Sequence, residues 1–110
     1  MNVKDEIRRA LFLRTRGIVS QIPLDIQMDM LKKAIEHFDE TTDFAVFDPN
    51  ATEKRYEDDD RTVIIPYREI PKKVWVKLDD YGSVENVERE SGITGLRSRF
   101  VITMMFPEEY

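Results

Sequence analysis

Apolar residues recur at helical spacing in the segment 23–38, which reads PLDIQMDMLKKAIEHF. Their spacing alternates between four and three residues, as expected for one face of an amphipathic helix. Acidic residues come early in the segment and basic residues later, an order that the helix dipole favours. The pattern predicts a helix with an apolar stripe, widened by Ala34, whose members are Leu24, Met28, Leu31, Ile35 and Phe38.

A second stripe at helical spacing precedes it, between about residues 3 and 16. Its members are Val3, Ile7, Ala10 and Leu11. Gly17 is suited to end this helix, and Pro23 interrupts the chain before the next one. The pattern therefore predicts that residues 1–40 form a helical hairpin.

After Phe38 the apolar residues alternate with polar ones, which indicates strands. Pro66 lacks a backbone donor, so we expect it at a sheet edge or a strand end. The turn DDYG (79–82) and the segment SVENVERE that follows predict a β-hairpin over residues 73–89. The predicted strands lie in DFAVF (43–47), RTVIIPY (61–67), KKVWVKL (72–78) and RSRFVITMMF (97–106).

The last of these segments is apolar on both faces, so it is expected in the middle of a sheet or against a partner. Together the elements predict an α+β fold, in which the N-terminal helical pair packs on a mostly antiparallel sheet of four or five strands. The chain has 110 residues and fits one domain, 1–110. Within it we expect a helical hairpin (1–40), a short strand with an acidic loop (41–60) and antiparallel strands (61–110).

Composition excludes several kinds of chemistry. Cysteine is absent, so disulfides, thiol nucleophiles and Cys-ligated metals are impossible. His37 is the sole histidine, and the chain carries no G-x-S-x-G, Walker or Gly-rich phosphate-binding motif. The N-terminal segment has no signal-peptide pattern, and the apolar runs are too short for a membrane span. We expect a non-enzymatic cytoplasmic protein without cofactor or metal ion.

Net charge is −5, and it is concentrated in residues 25–60, which hold twelve acids and four bases. That balance argues against direct binding of nucleic acid and suits a partner protein with a basic surface. The most acidic stretch is the run Glu57, Asp58, Asp59 and Asp60. Consecutive residues of an extended chain point to opposite sides, so this run has the wrong spacing for a metal site. It is interpreted as a solvated loop, a contact for a basic partner, or part of a surface that imitates nucleic-acid phosphates.

A second candidate surface lies in the strand KKVWVKL. Alternation places Lys73, Trp75 and Lys77 on the face opposite Val74 and Val76. A tryptophan flanked by cations on an exposed sheet face is typical of an interface anchor. If a helix or a loop covers that face instead, Trp75 belongs to the core.

The leading hypothesis is a small protein-binding domain of the bacterial or phage accessory type, acting as a regulator, inhibitor or assembly factor. One alternative is an acidic mimic that occupies the groove of a DNA- or RNA-binding protein. The other is a structural subunit in which the last strand and the helix stripes make a homo-oligomeric contact.

Overall fold

A computed structural model describes residues 2–110 of the chain. The helices are α1 (Val3–Arg8), α2 (Arg16–Gln21), α3 (Leu24–His37) and α4 (Val84–Ser91). The strands are β1 (Leu11–Arg14), β2 (Phe44–Asp48), β3 (Arg55–Glu57), β4 (Thr62–Pro66), β5 (Val74–Asp80) and β6 (Phe100–Met105). A 3₁₀ turn, Pro107–Glu109, follows the last strand. No helix within residues 2–110 is long and apolar enough to cross a membrane.

The predicted α+β class is confirmed, but the sheet differs from the expected one. It has six strands in the order β1-β6-β5-β2-β4-β3. Two pairs, β1 with β6 and β2 with β4, are parallel, and the other three are antiparallel. The predicted number of strands, four or five, was too low. Strands β1 and β3 were missed because their segments were interpreted as a helix and a loop.

The predicted N-terminal helical hairpin is wrong. Helix α1 ends at Arg8, and Leu11–Arg14 forms an edge strand beside β6. Three apolar residues in a row, from Leu11 to Leu13, cannot share one helical face, whereas a strand distributes them over both sides of the sheet. Helix α2 then begins at Arg16, so Gly17 lies in its first turn and ends no helix.

The predicted β-hairpin over residues 73–89 is half right. Strand β5 forms, and the turn is closed by the Gly82 amide, which donates to Asp80 Oδ1 at 2.9 Å. The returning segment is helix α4, because Ser83 Oγ accepts the Asn86 amide at 3.1 Å and caps its first turn. Gly92, with φ of +74°, ends the helix in the left-handed conformation.

Helix α3 has nearly the predicted bounds, but it buries only part of the predicted stripe, Phe38 and the widening residue Ala34. Its buried residues are Gln27, Met30 and Ala34, with Phe38 at its end. From the predicted stripe, Leu24 is 60% exposed and Met28 is 46% exposed. The two sides lie about 100° apart around the helix axis. The core therefore packs against the side of α3 that carries Met30 and Ala34, where the small alanine allows close approach.

Strand β6 lies between β1 and β5, as its two-sided apolar pattern predicted. Strand β2, from the segment DFAVF, joins the sheet between β5 and β4. Pro66 is the last residue of β4, where its missing amide donor costs nothing to the ladder. Helices α1, α2 and α3 and the inner side of the sheet contribute to one buried cluster, represented by Ile7, Ile18, Met30, Phe47, Val76 and Met104.

Candidate functional site

The side of the sheet that faces away from this core is the candidate site. We call it the open face and define it by five half-buried residues and one buried residue outside the core cluster: Phe44, Val46, Trp75, Lys77, Thr103 and the buried Met105. Register brings them into two rows, because paired residues on neighbouring strands share a face. One row is Val46, Trp75 and Met105, and the other is Phe44, Lys77 and Thr103.

Aromatic side chains cluster around Trp75. Its ring packs edge-to-face against Phe44, with 5.4 Å between centroids, and against Tyr110, with 5.9 Å. Each such pair is worth about 0.5–1.5 kcal/mol beyond the area that it buries. Tyr110 is nevertheless 74% exposed, so the cluster remains open to solvent on its outer side.

Lysines accompany this cluster. Lys77 Nζ lies 5.2 Å from the centroid of the Tyr110 ring and 3.4 Å from Asp79 Oδ1. Burial by itself would lower the pKa of Lys77, but the neighbouring Asp79 and Tyr110 outweigh it and raise that pKa above its usual value. Lys77 is therefore protonated at neutral pH, and the exposed Lys73 lies just before the same strand.

The structure places Trp75 and Lys77 on one side of β5, as predicted from their alternation, whereas Lys73 precedes the strand. Phe44 and Tyr110 were not anticipated as members of the site. Alternation in DFAVF could have placed Phe44 on the outer side of its strand. Tyr110, in contrast, lies beyond the last strand, and only the 3₁₀ turn brings it to Trp75.

The acidic run has a clear backbone role. Glu57 ends β3, and Asp58, Asp59 and Asp60 form the turn into β4 with φ of +56°, +53° and +66°. Aspartate adopts this left-handed conformation more readily than most residues that have a Cβ atom. The three aspartates are thus suited to a tight hairpin turn, which the Arg61 amide closes by donating to the Asp58 carbonyl at 3.0 Å.

Other carboxylates approach this turn from one end of the sheet. Asp60 and Asp39 line a shallow depression of about 280 Å³. Asp39 also lines a neighbouring depression of about 300 Å³, together with Glu40, Asp43, Asp80 and Arg99. Within residues 2–110, no group of three or more histidine or carboxylate side chains is arranged to hold a metal ion.

The acids of helix α3 do not all join this end. Asp29 lies beyond the opposite end of strand β4, where its carboxylate accepts a hydrogen bond from Tyr67. Basic residues also partly neutralise the acidic end, because Arg61 pairs with Asp43 at 3.3 Å and Arg99 with Asp80 at 3.1 Å. The electronegative surface is therefore local.

A scan against protein-family models, a search of curated proteins and a search of solved structures each found no match. The functional proposal therefore depends on the chemistry of the open face.

Proposed function

We propose that this protein is a non-enzymatic protein-binding domain that acts as a regulator, inhibitor or assembly factor. The observation that supports this proposal is the partly exposed cluster of Phe44, Trp75 and Tyr110 on the open face. Tryptophan and tyrosine at the centre of a surface patch are the residues that most often dominate binding energy.

The charges of the open face suggest the chemistry of its partner. Protonated Lys77 and exposed Lys73 lie on either side of Trp75 along the strand. A complementary surface would present an apolar side chain to the aromatic cluster and carboxylates to the two lysines. Such pairing at the rim speeds association and orients the partner more than it adds affinity.

The test is affinity capture from the native host lysate with three baits: the natural chain, the Trp75→Ala variant and the Tyr56→Ala variant. Tyr56 is a suitable control because it is an exposed aromatic residue on edge strand β3, outside the open face. We expect one partner to be retained by the natural chain and by Tyr56→Ala. The dissociation constant of the complex with this partner should rise about 30-fold or more when Trp75 is replaced by alanine, as for an interface hot spot.

Circular dichroism melting of each bait separates loss of binding from loss of folding. Equal capture of the partner by Trp75→Ala and the natural chain would exclude the open face as the docking surface. An empty capture by every folded bait would count against a protein-binding function altogether.

A further inference from the structure

The apolar stripe of helix α3 is only partly covered by the core, with Leu24 and Met28 exposed and Leu31 and Ile35 half-buried. It consists of Leu24, Met28, Leu31 and Ile35, and we call it the α3 stripe. Its last three residues line a groove of about 410 Å³ together with Arg8, Lys32 and Glu36. The 14 residues of α3 make the helix about 21 Å long, so the stripe runs along most of its length.

The core accounts for only half of this stripe. The fully buried residues of helix α3 are Gln27, Met30 and Ala34, none of which belongs to the stripe. Leu31 and Ile35 contact the core in part, while Leu24 and Met28 remain about half exposed. Single exposed apolar residues are ordinary, but a continuous line of them on one helix marks an interaction surface.

We propose that the α3 stripe is the contact between two copies of this chain, packed through antiparallel α3 helices about a two-fold axis. The spacing of the stripe is four, three and four residues, which reads the same in both directions along the helix. A two-fold axis therefore places Leu24 opposite Ile35 of the second copy and Met28 opposite Leu31. A two-fold contact requires such a self-complementary pattern, because both copies use the same patch.

Charges beside the stripe favour the antiparallel orientation. Asp25 and Lys32 lie on the same outward side of α3, about 20° apart around its axis. In the antiparallel register, Lys32 of one copy comes within about two residues, or 3 Å along the axis, of Asp25 of the other. A parallel two-fold pair would instead put the flanks that carry Asp25 and Lys32 on opposite sides of the contact, where they cannot pair, and would align the two helix dipoles unfavourably.

The contact is small. Four apolar residues from each copy are far fewer than the roughly 20–30 residues of a standard interface. We therefore expect reversible dimerisation with a dissociation constant of roughly tens of micromolar. The contact lies on the helix layer and leaves the open face of the sheet accessible.

Sedimentation equilibrium between about 5 μM and 1 mM tests the dimer, a range that brackets the expected dissociation constant. Met28→Glu should weaken association at least tenfold, because it places two like charges in an apolar contact. Ile93→Glu is the matched control, since Ile93 is 41% exposed but lies beyond α4, and it should leave association unchanged. A natural chain that stays monomeric at 1 mM, or a dimer insensitive to Met28→Glu, would overturn the proposal.

Cross-linking tests the orientation, because the natural chain has no cysteine. In the antiparallel pair, Leu24→Cys and Ile35→Cys variants should form a disulfide with each other when mixed and oxidised. Leu24→Cys alone should cross-link poorly, because the two positions 24 then lie about 16 Å apart along the axis. Preferential cross-linking of Leu24→Cys with itself would overturn the antiparallel arrangement.

Discussion

Tyr67 ties the end of strand β4 to helix α3. Its hydroxyl donates to Asp29 Oδ2 at 2.6 Å. This hydrogen bond, assisted by Lys33, holds the pKa of Asp29 below its ordinary value of 3.8. Burial, together with the charge of Asp29, raises the pKa of the Tyr67 hydroxyl, so it stays protonated and able to donate. This side-chain hydrogen bond thus joins helix α3 to the end of strand β4, although the Asp29 carboxylate is still half exposed.

Tyr67→Phe should lower the free energy of unfolding by about 1 kcal/mol at pH 7, the usual value of one such hydrogen bond. The lowered pKa of Asp29 means that its contribution is present above about pH 3.8 and is lost as pH falls through the folded-state value. The difference between the variant and the natural chain should therefore shrink in strong acid. Urea unfolding at pH 7 and in strong acid measures this difference in the free energy of unfolding. Tyr56→Phe is the control, because it removes the hydroxyl of an exposed tyrosine. An equal loss at both pH values would contradict a role for the ionised carboxylate.

At the scale of elements, the 3₁₀ turn after β6 is fastened to the start of helix α2. Glu109 accepts hydrogen bonds from Thr15 Oγ1 at 2.6 Å, from the Gly17 amide at 2.9 Å and from the Phe106 amide at 3.0 Å. These bonds, that of Thr15 foremost, lower the pKa of Glu109. Gly17 makes the close approach possible, since a Cβ there would lie 2.7 Å from Glu109 Oε2.

Gly17→Ala should lower the melting temperature by about 4–8 °C, because Glu109 must move away from the helix start. In a Glu109→Ala background, Gly17→Ala should raise the melting temperature slightly, since alanine forms helices better than glycine. A thermal-melting double-mutant cycle measures this change of sign. Ser20→Ala, at an exposed position of the same helix, serves as the control. A similar loss from Gly17→Ala in both backgrounds would show that Glu109 is not the cause.

At the scale of the whole molecule, positive and negative charge occupy different regions. Asp39, Glu40, Asp43 and Asp80 gather near the aspartate turn, whereas the lysines of the open face lie along β5. The Arg61–Asp43 salt bridge at the acidic end is exposed and contributes little to stability. Repulsion among these acids acts against the folded chain, whose net charge is already −5.

The triple variant Asp58→Asn, Asp59→Asn and Asp60→Asn removes three negative charges and keeps side chains that tolerate the left-handed turn. We expect its melting temperature to rise by about 2–4 °C at low salt, and the gain to vanish near 1 M salt, where charges are screened. Melting at the two salt concentrations measures the effect. Asp59→Val should instead be less stable at both, because a β-branched residue strains this backbone. A loss of stability in the triple variant would show that the carboxylates make a stabilising contact.

Local pattern was enough to identify α3, the strands β2, β4, β5 and β6, and the α+β class. It also placed Trp75 and Lys77 on one side of β5, because alternation along a strand needs no knowledge of its neighbours. The capped helix α4 was equally visible in the residues from Ser83 to Gly92, but the apolar positions Val84 and Val87 were too few to outweigh the hairpin turn before them.

Tertiary contacts decided the rest. Strand β1 exists because Leu11 pairs with Val101, a residue 90 positions further along the chain, and no local pattern reports that contact. The same holds for the buried side of α3 and for the meeting of Phe44, Trp75 and Tyr110. Hydrophobic periodicity describes which residues can share a face of one element. The choice of face depends on the free energy of packing whole elements together, which is why the α3 stripe remained exposed.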